Sequence, residues 1–106
     1  MTVTTKALVP TTLLVAGTTT PYTCTVRAAI LDRITVYNGG AGAVTISIML
    51  DGAVALSNTL MSKILQPLES YLCPEIAGHT LNTDQSFTIT TSTPSVVLRI
   101  SGREVT

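Results

Sequence analysis

Residues 44–50 alternate without a break. Val44, Ile46, Ile48 and Leu50 fall on one side of an extended chain, and Thr45, Ser47 and Met49 on the other. A period of two places successive side chains on opposite faces of a strand, whereas a helix needs its apolar stripe every third or fourth residue. The same period returns in Tyr22, Cys24 and Val26 against Thr23, Thr25 and Arg27. It recurs in Ile34 and Val36 within residues 30–37, in Phe87 and Ile89, and in Val96, Leu98 and Ile100. Helical spacing appears only across residues 53–65, where Asn58 and Thr59 interrupt it. A strand with one apolar face needs a second sheet to cover it. The alternation therefore predicts an all-β fold, an antiparallel two-sheet β-sandwich, jelly-roll-like, of about eight short strands.

Turn residues punctuate this pattern. Asn38-Gly39-Gly40-Ala41-Gly42 is a strong turn signal, because Asn and Gly tolerate positive φ at little cost. Asp51-Gly52 predicts a tight hairpin into residues 53–57, so that the strands around these two turns read as a meander. Residues 8–16 read as one or two short strands interrupted at Pro10, which suits an edge or a bend. Residues 17–21 read as a loop from their turn residues. Leu60, Ser62 and Ile64 mark a strand that ends near Pro67, and residues 71–73 a short one stopped by Pro74. Residues 76–84 read as a loop anchored by Leu81, and residues 93–95 as the turn into the last strand.

A chain of 106 residues fits one domain with one modest core. The expected division is an extended N-terminal arm at 1–7 and a single sandwich domain at 8–106. The arm's backbone groups have no partner in this reading. Thr2, Val3, Thr4, Thr5 and Lys6 are therefore the expected partner-contact residues, able to add a strand to a neighbour's sheet edge.

Charge narrows the choice of partner. Hydrophobic residues make up 45% of the chain and charged residues 11%, with a formal net charge of zero. Such a surface has no long-range field for phosphate backbones or anionic lipid, and the basic residues are scattered, so nucleic acid is excluded as the expected partner. Mean hydropathy is +0.48, but no apolar run approaches the roughly 20 residues of a membrane-spanning helix. A spanning barrel needs about eight strands and two aromatic girdles, which three Tyr, one Phe and no Trp do not supply. No basic segment followed by an apolar stretch opens the chain, so the expectation is no signal peptide and no membrane. Roughly a fifth of the residues are threonine, which favours strands with weakly polar outer faces. With so few Lys and Glu, that surface suits lasting contact with other protein and a homo-oligomer, a trimer or dimer.

No constellation points to chemistry. Cys24 and Cys73 are too few for a disulfide framework and too far apart for a CxxC motif, and they read as free, half-buried strand cysteines in a reducing compartment. Zinc sites use about four ligands in tight spacing; His79 with Cys73 and Glu75 offers fewer, and His79 reads as a surface or turn residue. His79 is also the one ordinary base for a Cys or Ser nucleophile, with no GxSxG frame around it. Asp51, Glu69 and Asp84 are explained by turns, and adjacent Asp32 and Arg33 should point to opposite faces of a strand. Gly39, Gly40 and Gly42 lie between two strands, where a phosphate-cradling loop would lead into a helix. A calcium loop of the DxDxDG type is missing, and the exposed aromatics that sugar-binding sandwiches use are scarce. The reading is a protein without catalytic site, metal or cofactor.

The order of segments carries a resemblance. Residues 21–38, PYTCTVRAAILDRITVYN, lead through a glycine-rich loop into AVTISIML at 43–50. QPLESYLCPEIAGHTLNTDQSFTITTS follows at 66–92 and VVLRISGREV at 96–105. This resembles the small β-sandwich virion proteins of tailed bacteriophages. In those proteins a strand ending in Asn precedes an alternating strand, and a leucine with an acidic turn precedes strands closing in SG-x-E. The matching pieces are Leu81-Asn82-Thr83-Asp84-Gln85 and Ser101-Gly102-Arg103-Glu104. The family more often has Gly beside the acidic residue of that turn, where this chain has Thr83 and Gln85. The resemblance implies a structural virion protein, with capsid decoration or cement as the expected role and the major capsid (coat) protein as partner. It further implies a place on the capsid surface in preference to the tail, after assembly in the host bacterial cytoplasm. A tail, neck or fibre accessory protein, and a carbohydrate-binding host-attachment module, are the two alternatives.

Overall fold

The computed structural model describes residues 2–50 and 58–106. Nine strands follow one another: β1 (Val3–Leu13), β2 (Gly17–Thr23), β3 (Ala28–Asn38), β4 (Val44–Met49), β5 (Thr59–Leu65), β6 (Ser70–Tyr71), β7 (Thr80–Asn82), β8 (Ser86–Thr91) and β9 (Val96–Val105). One sheet has the order β1-β9-β3-β6, with β7 also paired to β3, and the other has the order β2-β8-β4-β5. All pairings are antiparallel. Chain neighbours β1 and β2, or β3 and β4, lie in opposite sheets, which is the double-sheet wrapping of a jelly roll. The expected all-β, antiparallel two-sheet sandwich is the fold of this chain. No helix among the described residues is long and apolar enough to cross a membrane.

The alternation builds the core. Leu31, Ile34, Val36, Leu98 and Ile100 point inward from the long sheet, and Val44, Ile46, Ile48, Phe87 and Ile89 from the short one. Loop residues Leu14, Cys24, Cys73 and Ile76, with Leu81 of the short strand β7, complete the core. Each such side chain taken fully from water contributes about 1.5–3 kcal/mol, so this interdigitated layer is what holds the sheets together.

Bulges tune the long sheet. β3 shifts register between Leu31 and Arg33, opposite Gly102 and Ser101 of β9. A Cβ on Gly102 would sit 2.1 Å from the Ile30 carbonyl oxygen. Glycine is required there by the closeness of the β3 backbone. β1 shifts register twice against β9, between Ala7 and Val9 and again between Val9 and Thr12, and Pro10 lies in the second irregularity.

Several sequence expectations change. Residues 3–7 are not an arm outside the domain: they are the first half of β1, with Val3 opposite Val105 and Ala7 opposite Ser101. The C-terminal segment supplies the pairing partner, a long-range match that carries no local signal. Residues 17–21 are strand, not loop; β2 runs Gly17–Thr23 and ends before Cys24 and Val26. In β5 the buried residues are Met61 and Leu65, while Leu60 and Ile64 are exposed. The meander is replaced by a crossing between sheets at residues 39–43, and the hairpin expected at Asp51-Gly52 lies outside the described residues. Within the expected loop at 76–84, residues 80–82 pair with β3 as β7, and Leu81 is fully buried.

Candidate interaction surfaces

The outer face of the short sheet is lined with hydroxyls. Thr18 of β2 is registered against Thr90 of β8, Thr90 against Ser47 of β4, and Ser47 against Ser62 of β5. This forms one row of hydroxyl side chains across all four strands. Thr18 and Thr90 share a hydrogen bond of 3.0 Å, and the Ser47 hydroxyl donates to Ser62 at 3.2 Å. A second row holds Thr20 and Thr88, 3.2 Å apart, then Met49 and Thr59. Thr88 and Met49 are buried, so the row whose hydroxyls are exposed or half-exposed on every strand is that from Thr18 to Ser62. Thr23 and Ser86 make a further pair at 3.1 Å. β-Branched threonine suits a pleated strand, and opposed hydroxyls support one another across it. The only charged residue in β2, β4, β5 and β8 is Lys63. It is registered against core-facing Ile46, and its ammonium lies 4.6 Å from the Tyr71 ring centroid, at the side of the sandwich. Among the described residues, the four strands therefore place no charge on the hydroxyl face.

The long sheet is different. Asp32 and Arg103 form a two-pronged ion pair at 2.9 Å for each contact, and Arg33 and Arg99 are exposed beside it. Both partners of that ion pair are open to water, so it orients side chains more than it stabilises the fold. At the far end, the Tyr22 hydroxyl donates to Glu104 at 2.5 Å, and Lys6 lies 3.1 Å from the other carboxylate oxygen. This cluster joins β1 and β9 to β2, across the two sheets. The Tyr22 hydrogen bond holds the Glu104 carboxyl below its ordinary range, helped by Lys6 and opposed by partial burial. Burial first, and then Glu104, raise the Tyr22 hydroxyl.

Asn38, the last residue of β3, is completely buried and works as a hub. Its amide nitrogen donates to the carbonyls of Gly42, Leu65 and Gln66 at 2.9, 3.3 and 3.2 Å. Its side-chain oxygen accepts from the Gly40 amide at 3.0 Å and the Ser95 hydroxyl at 3.1 Å. The turn after β3, the end of β5 and the turn before β9 meet on this one side chain. The sequence marks Asn38 as a turn residue; nothing local shows that it gathers three loops.

The residues weighed for chemistry stand apart. His79 is exposed and engages β3 through its backbone oxygen, which accepts from the Leu31 amide at 2.9 Å. Cys24 and Cys73 are free and buried. Burial, with Glu75 nearby, pushes the Cys73 thiol up to about 12, which keeps it protonated and unreactive at neutral pH. Glu75 accepts the Tyr71 hydroxyl at 2.7 and 2.9 Å instead of joining His79. No group of three potential metal ligands converges among the described residues, and no cleft opens between them. Asp84, in the turn before β8, itself takes the left-handed conformation with φ of 72°, and its amide donates to Cys24 at 2.8 Å. Aspartate adopts that region more readily than most residues, so the turn closes without the neighbouring glycine.

Thr2, Val3, Thr4, Thr5 and Lys6 are all exposed, at the free edge of the long sheet. Comparison with known proteins returned no matching family model, no matching curated relative and no matching solved structure.

Proposed function

We propose that this protein is a non-enzymatic structural component of a tailed-phage virion, a decoration or cement protein that docks on the assembled major coat protein. The observation that carries the reading is the uncharged row of hydroxyls, Thr18, Thr90, Ser47 and Ser62, that crosses all four strands of the short sheet. A face without charges avoids the large cost of burying ions, its hydroxyls already hydrogen-bond one another, and its threonine methyl groups gain from burial, so it suits lasting contact with another protein surface. The jelly-roll sandwich agrees with the family that the segments at 21–50 and 66–105 resemble. Docking acts by mass action: a protein that binds the closed lattice and not its separated subunits raises the stability of the lattice.

The test is co-sedimentation of the purified chain with assembled coat shells, with unassembled coat subunits, and with host-surface glycans as a parallel arm. Saturable binding to shells alone is the expected result. Saturable glycan binding without shell binding would replace this reading with the carbohydrate-binding one.

A further inference from the structure

Among the described residues β1 has no strand on its outer side, and this edge of the long sheet has two unlike halves. From Val9 to Thr12 it is broken by a register shift and by Pro10, devices that discourage another strand from adding to a sheet edge. From Val3 to Ala7 the register against β9 is unbroken, without proline or bulge. Thr106 N–H donates to Thr2 O at 2.9 Å, and the register continues one-to-one into β1. In an antiparallel ladder the hydrogen-bonding residues alternate. Thr2, Thr4 and Lys6 thus turn their backbone groups toward β9, while Val3, Thr5 and Ala7 turn theirs away from the sheet.

We propose that a second copy of this chain pairs antiparallel along this edge, across a two-fold axis at Thr5. Thr5 then faces Thr5 of the other copy, Val3 faces Ala7, and Thr4 faces Lys6. The segment is self-complementary, as a two-fold contact requires. Its single charge, Lys6, is already tied to Glu104 at 3.1 Å and meets a threonine, so no like charges oppose one another. The half-exposed Val3 gains cover, at 56% exposure in the single chain. Zero net charge removes long-range repulsion between copies. The two long sheets become one continuous sheet, leaving both hydroxyl faces free. This pairing does not depend on the virion reading.

The test uses the full chain in analytical ultracentrifugation over a concentration series, with amide hydrogen exchange. The expected result is a monomer–dimer equilibrium in which the amides of Val3, Thr5 and Ala7 gain protection as the dimer forms. Thr5→Pro removes an outward donor and leaves the bonds to β9 in place, so it should give a folded monomer. Thr5→Lys sets two like charges face to face and should also dissociate the dimer, which keeps the test decisive if the proline variant unfolds. A wild-type monomer at every soluble concentration would overturn the proposal. So would a trimer, or a dimer that survives Thr5→Lys.

Discussion

The two sheets share a core but are built by different rules. The long sheet carries three register shifts, the close approach at Gly102, the buried Asn38 hub and every ion pair described above. The short sheet has two register shifts, both at its second hydroxyl row and none in the row from Thr18 to Ser62, and it is nearly free of charge. The long sheet therefore sets the fold, through contacts that only particular residues can make. The row from Thr18 to Ser62 on the outward side of the short sheet imposes little on the fold, since its exposed and half-exposed hydroxyls could meet water instead of each other at small cost. Its composition is then a property of the surface, which is why that face is the one assigned to a partner.

Substitutions should separate these roles. The largest effect falls on Asn38. Asn38→Ala strands the Gly40 amide and the carbonyls of Gly42, Leu65 and Gln66, and should cost about 3 kcal/mol in urea unfolding. Asn38→Asp keeps the acceptor and loses the donors; it should be nearly as damaging, because three carbonyls would then face a carboxylate. An Asn38→Ala variant as stable as wild type would remove the hub from the account.

A smaller, pH-dependent effect belongs to Glu104. Its folded carboxyl titrates below the ordinary value, so its contribution is complete above about 4.3 and fades as pH falls through the lower folded value. Thermal melts across the acid range should show part of the stability loss of wild type vanish in Glu104→Gln. At neutral pH that variant should be the weaker of the two, since the link to Tyr22 and Lys6 is reduced.

The smallest effect, with the opposite sign, lies in the short sheet. Thr19 points inward opposite Ile89, and its hydroxyl is buried without a hydrogen-bond partner among the described residues. Thr19→Val keeps the shape and removes the unmet polar atom. It should raise the unfolding midpoint by the equivalent of about 1 kcal/mol.

These differences also explain what was legible beforehand. Val44 to Leu50, Phe87 with Ile89, and Val96 with Ile100 declare their faces, because large apolar residues return at every second position. β2 hides, since Thr18, Thr19 and Thr20 look alike although only Thr19 turns inward. β5 misleads, because Leu60 and Ile64 are apolar and yet outward. The first half of β1 has no apolar alternation at all; its partner is the other end of the chain, and backbone pairing over such a distance leaves no mark on local sequence. The hydroxyl rows were visible only as a threonine bias. Their alignment depends on register between four strands, which a single strand's residues do not encode.

The most direct measurement is binding to assembled coat shells by chains altered on one face or the other. Thr18 and Ser62 are exposed at opposite ends of the hydroxyl row, and Arg33 is exposed on the long sheet. Surface changes of this kind should move stability by no more than about 0.5 kcal/mol. The account predicts that Thr18→Arg combined with Ser62→Arg abolishes docking while the fold is kept, and that Arg33→Glu docks like wild type. Full docking by the doubly charged variant would contradict it.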